Sequence, residues 1–347
     1  MGNGHVFYTS NMSMSNLRRR IVEVAPDIIY LNSFFSRLTI KVLLLRRLGL
    51  LSHAAVVLAP RGEFSSSALA LKRLKKKSFM ALAVLMGLYR DVLWHASAER
   101  EKLEMQRVFT SYPLNSRGRI GIAPPIYVAS DIPDPIPDRL SSDSRPDKRP
   151  GKVSFVFISR VSPMKNLVTA IELASALRGE VVFDIYGPTE DQQYFARCRQ
   201  AMAKAPAHVK IHYLGALPHE RARQKFSEYH FFLFPTLGEN FGHVIVESLA
   251  SGCPVIISDL TPWQGLEAQN AGWTLPLEDR DAWRKVLQLC VDMDDERFDQ
   301  ASAAARRFVR EAARSPAVRA QNVNLFRYAL EAWEPRTKEN AIPASQE

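Results

Sequence analysis

Arg160 and Lys165 flank a turn in Ser159-Arg-Val-Ser-Pro-Met-Lys-Asn166 that leads into a helical pattern beginning near Leu167. Two cations beside a helix start, where backbone N–H groups lack partners inside the helix, make a place for a phosphate or diphosphate. On its own such a pair is more often simply solvated. Further on, in Phe234-Pro-Thr-Leu-Gly-Glu-Asn-Phe-Gly-His-Val-Ile-Val-Glu247, an apolar run ends at Pro235 and a glycine-containing loop carries Glu239. A helical pattern starting near Gly242 then carries Glu247. Seven residues separate the two carboxylates, so one sits in the loop and the other about a turn and a half into the helix. Loop amides there can reach an anion, and a helical carboxylate at that depth can accept hydrogen bonds from a vicinal diol. The bland alternative is two acids that only favour the helix dipole. In the first half, His95 follows an apolar run in Leu93-Trp-His-Ala-Ser-Ala-Glu-Arg-Glu101, and Arg61 stands in Ala59-Pro-Arg-Gly-Glu63. A lone histidine at a strand end is more often structural than catalytic.

Such residues act together only if a scaffold brings distant loops to one edge. Between Ala123 and Gly151 lie seven of the 21 prolines, among Ser, Asp and Arg, which reads as an interdomain linker. After it, apolar runs at Val153 to Ile158, Val181 to Ile185, Val209 to Leu214, Phe231 to Phe234 and Val255 to Ile257 alternate with helical stretches. Continuous rather than alternating hydrophobicity marks strands covered on both faces, as in a parallel sheet. The expectation is a doubly wound α/β domain, with ligands held outside the carboxyl ends of its strands. Before the linker, the runs Val6 to Tyr8, Ile28 to Leu31, Ala55 to Leu58 and Val92 to Trp94 predict a second, smaller α/β sheet. The expected division is a first domain over 1–123, a linker over 124–150, a second domain over 151–315, and a C-terminal helix and tail over 316–347. A length of 347 residues suits two cores.

With 46% hydrophobic and 24% charged residues the chain has a globular composition, not a disordered or fibrous one. Cys198, Cys253 and Cys290 match no zinc or redox spacing and read as reduced thiols of a cytoplasmic protein. The start, MGNGHVFYTS, has neither a signal-peptide layout nor a myristoylation signal. The longest apolar stretch, Phe79 to Tyr89, is far short of the roughly 20 residues that span a bilayer. Of the net charge of +10, residues 1–150 carry 23 Lys/Arg against 12 Asp/Glu, or +11, leaving 23 against 24, or −1, for the remainder. The basicity peaks at Leu69 to Lys77, where Leu71 and Leu74 share a predicted helical face amid Lys72, Arg73, Lys75, Lys76 and Lys77. Such a segment can rest on anionic lipid or be a solvated helix face. Nucleic acid ranks last as a partner, because no recognisable binding motif accompanies the charge.

The stretch from Phe234 to Ile256 closely resembles the Glu-x7-Glu signature of glycosyltransferase family 4, and Arg160 with Lys165 falls where that family has its Arg...Lys diphosphate pair. The resemblance spans roughly Lys152 to Glu278. It implies two Rossmann-like doubly wound domains facing a cleft, the B-type fold. It also implies site roles: Arg160 and Lys165, with Phe241 and Gly242, for the donor diphosphate; Glu239 and Asn240 for the donor sugar; Glu247 for the ribose. Base contacts are expected near Tyr213, Leu214 and Leu217. The segment at His95 is similar to the family's His-Ala-Thr-Ser-x-x-Glu, which would make His95 catalytic together with Glu239. Ala59 to Glu63 resembles the Pro-Arg-Gly loop of the polysaccharide-assembly branch, which would give Arg61 an anionic acceptor or phosphate.

The implied activity is retaining, metal-independent transfer of a sugar from a UDP- or GDP-linked donor. The implied acceptor is a glycan or lipid-linked molecule in bacterial exopolysaccharide, capsule or lipopolysaccharide biosynthesis. The implied place is the cytoplasm, including the inner face of its membrane. No cofactor is expected, and Asp292-Met-Asp294 reads as helical surface. Family members normally open with a strand and a Gly-Gly loop, whereas this chain reaches Asp27-Ile-Ile-Tyr30, which resembles a later strand, after only 26 residues. The first βα unit therefore reads as missing or degenerate, and Ile122-Ala-Pro-Pro-Ile126 stands where an Asn-Gly turn is usual. A non-catalytic subunit that binds nucleotide-sugar without turnover is the competing reading. A nicotinamide dehydrogenase is a weak third, since no Gly-x-Gly-x-x-Gly follows any predicted strand.

Overall fold

The structure is a computed structural model that describes residues 13–51, 54–70, 72–114, 125–132 and 145–339, with the backbone alone for 66, 67, 219 and 333–339. The run Val6 to Tyr8 and the segment 122–124 lie outside the described residues. The chain forms two units, Met1–Ser130 with Ala317–Glu347, and Asp131–Pro316.

Unit 1 is built on four parallel strands in the order β1-β2-β3-β4: β1 (Ile28–Asn32), β2 (Ala55–Ala59), β3 (Leu93–Ala96) and β4 (Ile126–Val128). Around them run α1 (Met14–Val24), α2 (Arg37–Arg47), α3 (Ser66–Ala70), α4 (Arg73–Leu85) and α5 (Glu99–Ser111). Side chains on β2 alternate between the faces, as a strand requires. Val56 and Leu58 join the larger core with Trp94, Phe34 and Met105, while Ala55 and Val57 join a small core with Leu93, Ala129, Leu325 and Ala329. The second face is thus covered by the C-terminal helix, Pro316–Glu339, which returns to the first unit after the chain has completed the second.

Two features differ from the sequence expectation here. β4 lies inside the segment read as linker, because three residues between prolines suffice for an edge strand. The basic segment is not one helix: α3 stops at Ala70, and Lys72 takes a left-handed conformation (φ 55°) before α4 begins. Leu71, outside the described residues, therefore precedes the helix that carries Leu74.

Unit 2 has six parallel strands: β5 (Lys152–Ile158), β6 (Glu180–Tyr186), β7 (Val209–Tyr213), β8 (Phe231–Phe234), β9 (Val255–Ser258) and β10 (Gly272–Leu275). Helices α6 (Leu167–Ser175), α7 (Gln192–Met202), α8 (His219–Phe226) and α9 (His243–Ala250) follow β5 to β8 in alternation, while α10 (Arg280–Asp292) and α11 (Asp295–Ala313) both come after β10. Strand order is β10-β9-β8-β5-β6-β7, so the winding reverses between β5 and β8, which pair with Phe155 opposite Phe231. Buried phenylalanines at 155, 157, 183, 231, 232 and 234 fill both faces of these central strands, which is why they read as continuous apolar runs.

The end of the predicted linker belongs to this unit. Arg145 makes paired 2.9 Å hydrogen bonds to Asp295, and the buried Lys148 donates to the carbonyl oxygens of Arg149, Val291 and Met293. The three cysteines are free and buried, and burial pushes the Cys253 thiol up to about 12, so it is a packing residue. No helix among the described residues is long and apolar enough to cross a membrane.

Candidate active site

A doubly wound sheet leaves a crevice at the carboxyl ends of the strands where its winding reverses, since the loops there part to opposite sides. In unit 2 that point lies between β5 and β8. From β5 the chain passes Arg160 and makes a 3-10 turn over Pro163–Lys165 before α6. From β8 it passes Pro235 and Glu239 before α9. The two loops are sewn together: the Leu237 N–H donates to the Met164 carbonyl at 2.8 Å, the Thr236 hydroxyl reaches the same oxygen at 3.1 Å, and the Asn166 amide donates to the Pro235 carbonyl at 2.9 Å. Lys165 and Glu239 consequently meet, with Lys165 Nζ hydrogen-bonded to Glu239 Oε1 and both side chains only 13% exposed. Residues 74 apart in sequence thus form one polar pair at the switch point.

The loop bearing Glu239 is held from the other side by residues the sequence did not single out. The Glu239 N–H donates to the Leu260 carbonyl, and Trp263 Nε1 donates to the Phe241 carbonyl at 2.5 Å while its ring packs edge-on against Phe241. Nothing in the local sequence distinguishes Trp263 from a core tryptophan; only the β9 to β10 connection brings it here. Gly242 takes φ 80°, and a Cβ there would come within 2.8 Å of Ile245 Cδ1, so glycine lets α9 start so close to the loop. No side chain caps α9, which leaves its first amide groups directed toward the loop end. Asn240 is half-buried in this loop, and Glu247 lies buried in the second turn of α9, 7% exposed.

Arg160 is placed differently. Its Nη1 pairs with Glu190 Oε2 at 3.2 Å across the β5 and β6 ends, with both side chains more than half exposed, a contact that holds it only weakly. The backbone beneath it is tightly constrained, because a Cβ on Gly187 would fall 1.8 Å from the Ser159 carbonyl oxygen. Tyr213 donates to the Gly187 carbonyl at 2.8 Å, Leu214 is exposed and Leu217 packs on the core. These three stand beside the β6 end and not beside the Lys165–Glu239 pair in the strand order. Asp292, the last residue of α10, accepts from the Gln288 side-chain amide at 3.2 Å, and Asp294 caps α11 through a 2.9 Å bond from the Arg297 N–H.

In unit 1, His95 is only 2% exposed and both its ring nitrogens are engaged. Nε2 lies 2.8 Å from the Ala129 carbonyl and must donate to it, so Nδ1 accepts from the Tyr30 hydroxyl at 2.5 Å. Arg61 donates to Tyr30 Oη from Nη2 and to Asn32 Oδ1 from Nε, both at 3.0 Å. His95 shares a strand face with Leu93, the face under the C-terminal helix, where Phe326 packs on Tyr30. As folded, His95 is buried and links to Tyr30, whose hydroxyl it helps to orient. Arg61 sits in a left-handed turn (φ 55°) that two acids lock in place. Glu63 accepts from the Ser33 hydroxyl and the Phe34 and Phe35 N–H groups, and the buried Glu101 accepts from the Gly62 and Ser97 N–H groups. Tyr30, Glu63 and Glu101 were missed as a set, since their partners lie up to 65 residues away.

Residues 138–307 match the family described as "Glycosyl transferases group 1". Over 134 residues the chain is 28% identical to the "UDP-N-acetylglucosamine--peptide N-acetylglucosaminyltransferase GtfA subunit" of Streptococcus agalactiae, an alignment covering 37% of this chain and 25% of that protein. Among solved structures it is similar to TarM (TM-score 0.61, 16% identity, covering 90% of this chain and 58% of TarM). It is also similar to Anabaena Alr3699/HepE, solved with UDP and glucose (TM-score 0.60, 16% identity, 90% of this chain and 80% of that one). Sucrose-phosphate synthase of Thermosynechococcus elongatus gives a TM-score of 0.64 at 14% identity over 92% of this chain and 77% of that chain. These likenesses show the fold alone: two Rossmann-like doubly wound domains, the B-type fold. The chain thus spans a quarter of the streptococcal relative's length and somewhat over half of TarM's.

Proposed function

We propose that the chain is a retaining glycosyltransferase of family 4 type, with its group 1 domain in unit 2. It would move a sugar from a UDP- or GDP-linked donor to a glycan or lipid-linked acceptor in bacterial polysaccharide assembly, at the inner membrane surface. The observation that carries this reading is the Lys165–Glu239 pair at the β5/β8 switch point. A donor entering there exchanges one ion pair for two better-matched contacts: the diphosphate takes Lys165 and the α9 amide groups, and the sugar hydroxyls take Glu239. Arg160, held only by an exposed pair with Glu190, can swing to the same diphosphate at little cost. Glu247 accepts the ribose diol, Asn240 adds a sugar contact, Phe241 and Gly242 shape the phosphate end, and Tyr213, Leu214 and Leu217 border the base.

In this mechanism the protein's main work is electrostatic. As the glycosidic bond breaks, negative charge grows on the departing diphosphate, and Lys165, Arg160 once swung in, and the α9 amide groups stabilise it. The leaving phosphate then helps to take the proton of the incoming hydroxyl on the same face, which retains the configuration. The chain needs no metal for this step, because Arg160 and Lys165 supply the positive charge. Arg61, fixed by its acid-locked turn and bonded to Tyr30, is suited to an anionic group of the acceptor.

The relatives' names include UDP-N-acetylglucosamine and UDP with glucose, which makes UDP-sugars the first donors to try. The binding-only reading keeps one support of its own, the buried and doubly bonded His95. The test is to incubate the purified chain with radiolabelled UDP- and GDP-sugars and measure nucleotide release and sugar transfer. Turnover that disappears in Glu239→Gln supports transfer; donor binding without any release favours the binding-only reading.

A further inference from the structure

The loop that carries Glu239 is gripped at two points by the connection between β9 and β10. The Glu239 N–H donates to the Leu260 carbonyl at 3.1 Å, and the Phe241 carbonyl accepts from Trp263 Nε1 at 2.5 Å. Trp263 is itself tied to β10 and α11. Its N–H donates to the Thr261 hydroxyl at 3.3 Å, its carbonyl accepts from the Thr274 hydroxyl of β10 at 3.1 Å, and its ring contacts Phe241 on the loop and Phe308 of α11. Trp263 and Phe241 are both buried, so the bond between them is shielded from water.

What the indole bond fixes is the direction of a peptide plane. In a trans peptide the carbonyl and the following N–H point opposite ways, so holding the Phe241 carbonyl on Trp263 aims the Gly242 N–H away from it. The strand order β9-β8-β5 puts the β5 loop with Lys165 on the opposite side of this loop from the β9–β10 connection, so away from Trp263 is toward Lys165. Among the described residues the Gly242 and His243 N–H groups have no protein acceptor, and they are the ones that open α9. Sterics do not hold the plane. Gly242 sits at φ 80°, and a residue without Cβ tolerates the turned-over peptide as well. The hydrogen bond from Trp263 is what selects one orientation.

We infer that Trp263 is a positioning residue for the transfer: through the Phe241 carbonyl it aims the Gly242 N–H, and with it the start of α9, at the diphosphate of the bound nucleotide-sugar. The inference rests on the proposed reading of this loop as the donor site, and adds to it a residue that touches no substrate. The diphosphate gains negative charge as the sugar departs. An N–H fixed in advance therefore acts more strongly on the transition state, and on the released nucleoside diphosphate, than on the intact nucleotide-sugar. Losing its aim lowers turnover more than it raises KM. A tryptophan that only filled the core would change stability and leave the kinetic constants alone.

The test compares the full-length wild type with Trp263→Phe, which keeps an aromatic ring and lacks the N–H. Melting temperature, affinity for UDP and GDP by calorimetry, and kcat and KM with the labelled UDP- or GDP-sugar that wild type turns over are measured side by side. The expected result is a kcat lower by about tenfold or more, a donor KM changed by less than about threefold, and an affinity for the nucleoside diphosphate weaker by about fivefold or more. If circular dichroism shows that Trp263→Phe does not fold, 3-benzothienylalanine at position 263, which keeps the bicyclic shape without the N–H, takes its place. A folded variant whose kcat stays within about twofold of wild type, or whose loss lies wholly in KM, would overturn the inference and leave the donor site standing. Wild type that binds UDP or GDP without turnover would remove the proposed transfer, and the affinity of the variant for that diphosphate would then decide the role of Trp263: weaker supports it, equal overturns it. Wild type that binds neither would remove both.

Discussion

His230, just before β8, gives unit 2 a dependence on pH whose size follows from its contacts. The ring is 7% exposed, and its Nδ1 accepts the Ser154 N–H of β5 at 2.9 Å while Nε2 donates to the Asp147 carbonyl at 3.1 Å. With Nε2 donating to a carbonyl, Nδ1 is left to accept from both the Ser154 N–H and the Ser154 hydroxyl, the latter at 2.6 Å, which is the arrangement of the neutral ring. Burial is the leading cause that depresses the pKa from 6.5 to about 4; the Asp147 hydrogen bond opposes it, and Lys148 and Arg145 add to it. A folded-state pKa below the unfolded value means that the unfolded chain binds the extra proton first. The contribution is therefore fully present above about pH 6.5, declines as pH falls, and is gone below about pH 4. At about 1.4 kcal/mol per unit, the full shift corresponds to about 3.5 kcal/mol, of which about 2 kcal/mol is lost between pH 7 and pH 5. The direct assay is an NMR titration of the imidazole ring. In parallel, urea unfolding of wild type and His230→Asn, whose amide oxygen can accept the Ser154 N–H without titrating, should show the wild-type advantage shrinking by about 2 kcal/mol over that range. A folded-state ring that titrates near 6.5, or an advantage that does not change with pH, would refute the reasoning.

Three further outcomes test the site. Lys165→Ala should weaken binding of UDP or GDP by about 1.5 to 3 kcal/mol, the range for a hydrogen bond to a charged group, and calorimetry at low salt reads it directly. Glu247→Ala should cost more than about 1 kcal/mol in nucleotide affinity, and an unchanged affinity would remove Glu247 from the site. Tyr30→Phe removes both the bond to His95 Nδ1 and the acceptor of Arg61, so turnover should fall by more than KM rises, while the melting temperature moves by only a few degrees; equal kinetics in wild type and variant would make the Tyr30 link purely structural.

Much of this molecule is legible in its sequence because the strands of a parallel sheet are buried on both faces and must be apolar throughout. The five runs read in the second half correspond to β5 through β9 within a residue at each end. β10 was not read, since Gly272-Trp-Thr-Leu275 is an edge strand with two half-buried residues, and such a strand has no continuous apolar signature. The break at Lys72 was equally hidden: a lysine in left-handed conformation carries no mark that a glycine would.

The site was legible to the extent that its chemistry is local. Arg160, Lys165, Glu239 and Glu247 could be chosen because each stands at a strand-to-helix transition, and topology alone then brings Lys165 to Glu239. His95 could be found in the same way, but the groups that close over it, Tyr30 and the Ala129 carbonyl, could not. Tyr30 lies two strands away, and the helix that covers both arrives from beyond residue 316, after the whole second unit. A residue's type and its place on a strand therefore identify a candidate. Whether that candidate touches substrate or only positions a neighbour is decided by long-range packing, and for this chain that makes Tyr30 and Arg61, more than His95, the first-unit residues to mutate for an effect on chemistry.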